Sequence, residues 1–118
     1  MIKTKLGRFG EDLAIEFLQK QGYRIIERNF RIRGGEIDVI AQEGNTLVYV
    51  EIKTRTTFQF GRPEEAVTPK KIHFLKRAAK FYRNNRKPLI ELERIDVVAV
   101  DLLDPANPQI KLIKNVTF

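Results

Sequence analysis

Glu36-Ile37-Asp38-Val39-Ile40-Ala41-Gln42-Glu43-Gly44-Asn45-Thr46-Leu47-Val48-Tyr49-Val50-Glu51-Ile52-Lys53 is the stretch that decides how this 118-residue chain folds. Two runs rich in β-branched and apolar residues flank Gly44-Asn45, a pair suited to a two-residue hairpin turn. With those two as the loop, Glu43 pairs with Thr46, and each step outward keeps the register. Asp38 then stands opposite Glu51, and Glu36 opposite Lys53. Directly opposed residues share one face of a sheet, with Cβ atoms about 4.5–5.5 Å apart. Val39, Val48, Val50 and Ile52 fall on the other face as core. Charge therefore collects on one face, inside strands that are otherwise apolar.

Working outward, the spacing predicts a helix over Gly10–Gln21, stopped by Gly22, with Leu13, Ala14, Phe17 and Leu18 as its buried stripe. Gly7 and Gly10 read as a flexible start to that helix. Tyr23–Ile32 reads as a strand whose apolar phase shifts partway, which predicts a bulge. Arg33-Gly34-Gly35 makes a turn; Glu36–Gln42 and Thr46–Lys53 are the hairpin strands, and Thr54–Val67 is a loop. Thr68 as N-cap and Pro69 at the first helical position open a second helix to about Asn85, with Ile72, Leu75, Ala79 and Tyr82 facing inward. Arg94–Leu102 and Gln109–Val116 supply two more strands. The order is α-β-β-β-α-β-β, one α/β domain over residues 1–118 with a mixed sheet flanked by helices.

Lys and Arg total 22 against 15 acids, a net charge of +7. Such a surplus suits a polyanionic partner, and it also serves solubility alone. The absence of cysteine excludes a disulfide framework, a thiolate zinc site and a cysteine nucleophile. No apolar run approaches the ~20 residues that span a bilayer. Met1-Ile2-Lys3-Thr4-Lys5 lacks the apolar stretch of a secretory signal. A cytoplasmic protein with no membrane partner is the expectation.

Two opposed carboxylates repel, so a shared proton, a nearby cation or a metal has to offset them. Mg²⁺ takes one or two carboxylates and leaves its other positions to water and phosphate. A metal so held suits phosphodiester hydrolysis, because it polarises the phosphoryl oxygen and acidifies an attacking water. Lys53 on the same face could orient that water or offset charge on the phosphate. The plainer alternative is a solvated ladder in which Lys53 pairs with Glu51 and Glu36, worth ~0–1 kcal/mol.

Glu11 precedes Ala14 by three residues and Leu18 by seven, beside the buried stripe, whereas Asp12, Glu16 and Lys20 follow a solvent-facing row. It reads either as a first-turn acid favoured by the helix dipole or as a third carboxylate aimed at the hairpin, ligating metal directly or through water. Arg8, just ahead of it, could meet a phosphate. The second helix carries Lys70, Lys71, Lys76, Arg77, Lys80 and Arg83. With Arg31, Arg33, Arg55 and Arg62 these could track phosphates, giving affinity without sequence selectivity; a solvated helix face is the other reading. His73 suits a surface or half-buried place better than a general base. Phe58 and Phe60 suit core packing or a partner contact better than base stacking.

Glu11, Asp38 and Glu51-x-Lys53 in this element order resemble the PD-(D/E)xK nuclease superfamily, nearest its archaeal Holliday-junction-resolvase-like branch. More narrowly, Gly7-Arg8-x-Gly10-Glu11, Asn29-Phe30, Gly35-Glu36-Ile37-Asp38, Val50-Glu51-Ile52-Lys53-Thr54-Arg55 and Ala66-Val67-Thr68-Pro69-x-Lys71 resemble the YraN-type uncharacterised bacterial family, over about Gly7 to Tyr82. The resemblance implies a restriction-endonuclease-like core with Asp38 and Glu51 as ligands of Mg²⁺ or Mn²⁺. It also implies Lys53 as the catalytic lysine and Glu11 as an auxiliary acid. Ile37 stands where the superfamily's name has proline, and Thr68–Asn85 holds no glutamine, unlike some relatives.

The leading reading is a metal-dependent endonuclease acting on DNA, branched or structured DNA included. Arg8, Arg33, Arg55, Lys70, Lys71 and Arg77 are the candidate phosphate contacts. A non-catalytic nucleic-acid-binding module of the same fold is the alternative, and an adaptor whose acids form an internal salt-bridge network is the third. Resolvase-like symmetry would call for a homodimer, which the sequence does not show.

Overall fold

The computed structural model describes residues 4–59 and 61–116; residues 1–3, read above for a signal segment, and Phe60 lie outside them. The elements are α1 (Lys5–Lys20), β1 (Arg24–Ile32), β2 (Gly35–Glu43), β3 (Thr46–Arg55), a 3-10 turn (Pro63–Ala66), α2 (Pro69–Arg86), β4 (Leu92–Asp101) and β5 (Gln109–Ile113). This is the expected α-β-β-β-α-β-β order. Spatial order in the sheet is β1-β2-β3-β4-β5, so β3 is central. Only β3 and β4 run parallel. A parallel pair needs a crossover connection, which α2 supplies.

The two helices cover opposite faces. Ala14, Ile15 and Leu18 of α1 pack on Val39, Val48, Val50 and Val98. Leu75, Ala78 and Tyr82 of α2 pack on Ile40, Leu47, Tyr49 and Ile95. Strands covered on both faces are apolar in near-continuous runs, and that is why β3 and β4 read as they do. Among the described residues no helix is long and apolar enough to cross a membrane.

The turn at Gly44-Asn45 sets the expected register, from Glu43 paired with Thr46 to Val39 paired with Val50. Thr68 and Pro69 open α2 as expected, with the Thr68 hydroxyl accepting the Lys71 N–H at 3.2 Å. The bulge expected in β1 lies between Ile25 and Glu27. The start of α1 differs. The helix begins at Lys5, capped by Thr4, whose hydroxyl accepts the Gly7 N–H at 2.9 Å. Gly7 and Gly10 are thus inside the helix and are not a flexible start. Gly10 answers a close approach: a Cβ there would lie 2.2 Å from Thr54 Oγ1, so its absence lets α1 lie against β3. The loop after β3 also differs, since Pro63–Ala66 forms a 3-10 turn in which the Arg62 N–H meets the Glu65 carboxylate at 3.3 Å.

A polar network ties the hairpin end of the sheet to the last residues described. Fully buried Asp96 on β4 accepts from the Tyr23 hydroxyl (2.7 Å), Arg94 Nε (2.9 Å) and the Asn115 N–H (2.9 Å). Arg94 reaches on to Glu43, which Lys114 holds at 3.0 Å. Burial raises the pKa of Glu43, but hydrogen bonds from Lys114 and Arg94 outweigh it and hold the carboxyl below its ordinary value.

Two outcomes follow for stability. Gly10→Val should destabilise the protein by about 1–3 kcal/mol through the forced contact with Thr54, read by denaturant unfolding. Because the folded-state pKa of Glu43 is lowered, its ionic contribution is present above the ordinary glutamate range and lost as pH falls below it. The stability gap between wild type and Glu43→Gln should therefore be largest near neutral pH and close in acid, measured as unfolding free energy against pH.

Candidate functional site

Glu51 sits towards the carboxyl end of the central strand and is 1% exposed. An ionised carboxylate so placed costs several kcal/mol unless charge and hydrogen bonds compensate it. Two ammonium groups do the first. Lys53 Nζ and Lys71 Nζ each lie 3.4 Å from Glu51 Oε2. Lys53 comes from the same strand two residues on, where the pleat returns to the same face. Lys71 comes from the first turn of α2, and its ammonium also stands 5.1 Å from the centroid of the Phe74 ring. The other oxygen, Glu51 Oε1, is buried with no hydrogen-bond partner among the described residues.

Asp38 departs from the expected direct opposition to Glu51. Ladder pairing ends at Val39 with Val50, one step short of the two acids and three short of Glu36 and Lys53. Instead, Asp38 Oδ2 accepts the Ile52 N–H at 2.8 Å, which ties the acid to β3 beside Glu51. The physical reason lies across the sheet. Pairing of β1 with β2 runs from Arg28 with Val39 to Phe30 with Ile37, passing over Asn29 and Asp38, and Asn29 has a left-handed φ of 54°. Alternation breaks there, so Ile37 and Ile40 both join the α2 core.

Glu11 is 5% exposed and lies in the second turn of a helix that starts at Lys5, so the first-turn dipole reading does not apply. Asp12 and Glu16 face solvent as expected, Glu16 pairing with Lys20 at 3.1 Å. Glu11 Oε1 accepts from Asn29 Nδ2 at 3.1 Å and Arg28 Nη2 at 3.4 Å, and Arg28 also binds Asp12 at 2.9 Å. From sequence alone Arg28 had no role, and Asn29 entered only within the Asn29-Phe30 motif. The further local signal was the residue type of Asn29, since asparagine tolerates the left-handed region better than other non-glycine residues.

The structure thus gathers Asp38, Glu51, Lys53 and Lys71 about one end of β3, with Glu11 held from α1 by β1. Among the described residues, no three His, Asp or Glu side chains form a group that could hold a metal by themselves. One or two carboxylates with water and substrate phosphate suffice for Mg²⁺. Among the described residues Oε1 of Glu51 has no hydrogen-bond partner and is an acceptor of the kind a cation would satisfy, so Asp38 and Glu51 are the residues that could hold a metal.

Basic residues flank this end on both sides. Lys70, Lys71 and Arg77 border an open groove of about 440 Å³ beside Gly34, with the Arg77 guanidinium 5.3 Å from the Phe74 ring centroid. Arg55 borders another, of about 680 Å³, against the first turn of α1. Neither helix has an acid in its first turn, which leaves each positive end uncompensated. Arg8, Arg33 and His73 are exposed. Arg83 is a correction to the phosphate-tracking set: it binds Glu93 and the carbonyls of Ile90 (2.7 Å) and Glu91 (3.1 Å), pinning the segment before β4. Phe58 is half-buried, with the Arg62 guanidinium 5.1 Å from its ring centroid.

Fold and site define an α/β protein that buries an acid of its central strand between two lysines. The sequence profile of the uncharacterised protein family UPF0102 matches residues 10–100, and the chain belongs to that family. It is similar to a UPF0102 protein of Caldicellulosiruptor saccharolyticus, 47% identical over 121 residues that cover 98% of both chains. A UPF0102 protein of Geobacter sulfurreducens is 47% identical over 93% of this chain and 86% of its own. One of Syntrophomonas wolfei is 43% identical over 97% and 98%.

If Glu51 served stability, removing its charge would cost the 3–5 kcal/mol typical of a broken buried pair. Its lysine partners are partly exposed and can turn to solvent. Glu51→Gln should therefore unfold with a free energy unchanged or higher by about 1 kcal/mol, read by denaturant titration.

Proposed function

We propose that this protein is a divalent-metal-dependent endonuclease that hydrolyses phosphodiester bonds in DNA, with Asp38 and Glu51 as ligands of Mg²⁺ or Mn²⁺. The observation that carries the reading is Glu51: a buried acid on the central strand, with two lysines at one oxygen and, among the described residues, no hydrogen-bond partner at the other. When bound, the ion would polarise a phosphoryl oxygen and lower the pKa of an attacking water. Hydrolysis would join the water oxygen to phosphorus as the ester P–O bond breaks, the water giving up one proton and the departing oxygen taking one up. Lys53, half-buried beside Glu51, is placed to orient that water or to offset charge on the phosphate. Glu11, held by Asn29 and Arg28, would act on the ion only through water. Arg8, Arg33 and Arg55, with Lys70, Lys71 and Arg77, would hold the backbone on either side, without sequence selectivity. Symmetric cutting of a branched junction would need two such sites, hence a homodimer.

The test is cleavage of linear, nicked and four-way-junction DNA in Mg²⁺ or Mn²⁺. Wild type should cut, and Asp38→Asn and Lys53→Ala should each lose about a hundredfold to a thousandfold in rate. Binding by all three without cutting would favour a nucleic-acid-binding module of this fold.

A further inference from the structure

We propose that Lys71 is an exchangeable counter-ion of the site: its ammonium competes with a divalent ion for the Glu51 carboxylate and, once displaced, takes a backbone phosphate of the nucleic acid. This rests on the metal-dependent reading above and gives Lys71 a role apart from general phosphate contact.

Lys53 and Lys71 meet the same oxygen of one carboxylate at 3.4 Å each. Two ammonium groups at one carboxylate oxygen repel each other, so the one held from the mobile side-chain stem can exchange that oxygen for another anion. The two are not equivalent. Lys53 belongs to the central strand, where its backbone is paired with Ala99 of β4. Lys71 stands on the first turn of α2 at the border of the groove that it shares with Lys70 and Arg77, its ammonium over the Phe74 ring. Its flexible stem lets rotation about the side-chain bonds carry the ammonium from Glu51 into that groove. An ammonium has three donors, so it can begin to bind a phosphate before it leaves the carboxylate.

Linkage then fixes the sign of the effects. Lys71 opposes metal at Glu51, and a phosphate that draws Lys71 away relieves that opposition, so metal and nucleic acid bind cooperatively and reciprocally. A purely structural ion pair would give no such coupling.

The test is Mn²⁺ binding by calorimetry to wild type, Lys71→Met and Lys71→Arg, with binding of a short DNA duplex in Ca²⁺ across a salt series. Lys71→Met should bind Mn²⁺ at least about fivefold more tightly than wild type, whereas Lys71→Arg, which keeps the charge, should match wild type. In the same Lys71→Met protein, the slope of log affinity for the duplex against log salt should fall by about one. Mn²⁺ binding to Lys71→Met that is unchanged or weaker, while wild type binds Mn²⁺, overturns the exchange and leaves the metal reading standing. No Mn²⁺ binding by wild type overturns both.

Discussion

A negative charge on the central strand of a sheet covered on both faces has to be met from within the protein, and the end of the fold where Glu51 lies is arranged to do so. Lys53 comes from β3 itself and Lys71 from α2. The second of these links architecture to chemistry. The crossover helix that makes β3 and β4 parallel also delivers the ammonium that meets Glu51. Shifting α2 along the sheet would uncover the apolar face it packs on and at the same time leave the acid underpaired.

Two buried acids differ in how fully their oxygens are satisfied. Asp96 lies in a network where both oxygens are used, by Tyr23, Arg94 and the Asn115 N–H. A fully satisfied buried network rigidifies what it joins, here the hairpin end and the segment after β5. Glu51 is as deeply buried, yet one oxygen carries two cations and the other has no hydrogen-bond partner among the described residues. Departures from polar satisfaction concentrate at functional sites. The left-handed Asn29, holding Glu11 across the gap in β1–β2 pairing, is a second departure at the same end of the sheet.

Much of this was legible in the sequence because local chemistry dictated it. Gly44-Asn45 fixes five hairpin pairs, Thr68-Pro69 fixes the start of α2, and the apolar periods place both helices. The break in pairing at Asp38 was not legible, since it follows from the backbone of Asn29 on a neighbouring strand. The start of α1 was hidden because glycine reads as a helix breaker, whereas Gly10 answers a contact with Thr54 that exists only in the folded chain. Lys71 looked like one basic residue among several on its helix. Its reach to Glu51 depends on how α2 docks, which no local pattern encodes.

The most direct measurement is a crystal structure of the protein soaked in Mn²⁺, with the ion located by its anomalous scattering. The expected result is a peak bonded to oxygens of Asp38 and Glu51, at the roughly 2.0–2.2 Å usual for a small divalent ion, with Lys71 turned away from Glu51 Oε2. A crystal with no peak at these two residues, in which both lysines still hold Glu51, would contradict the assignment of this end of β3 as a metal centre.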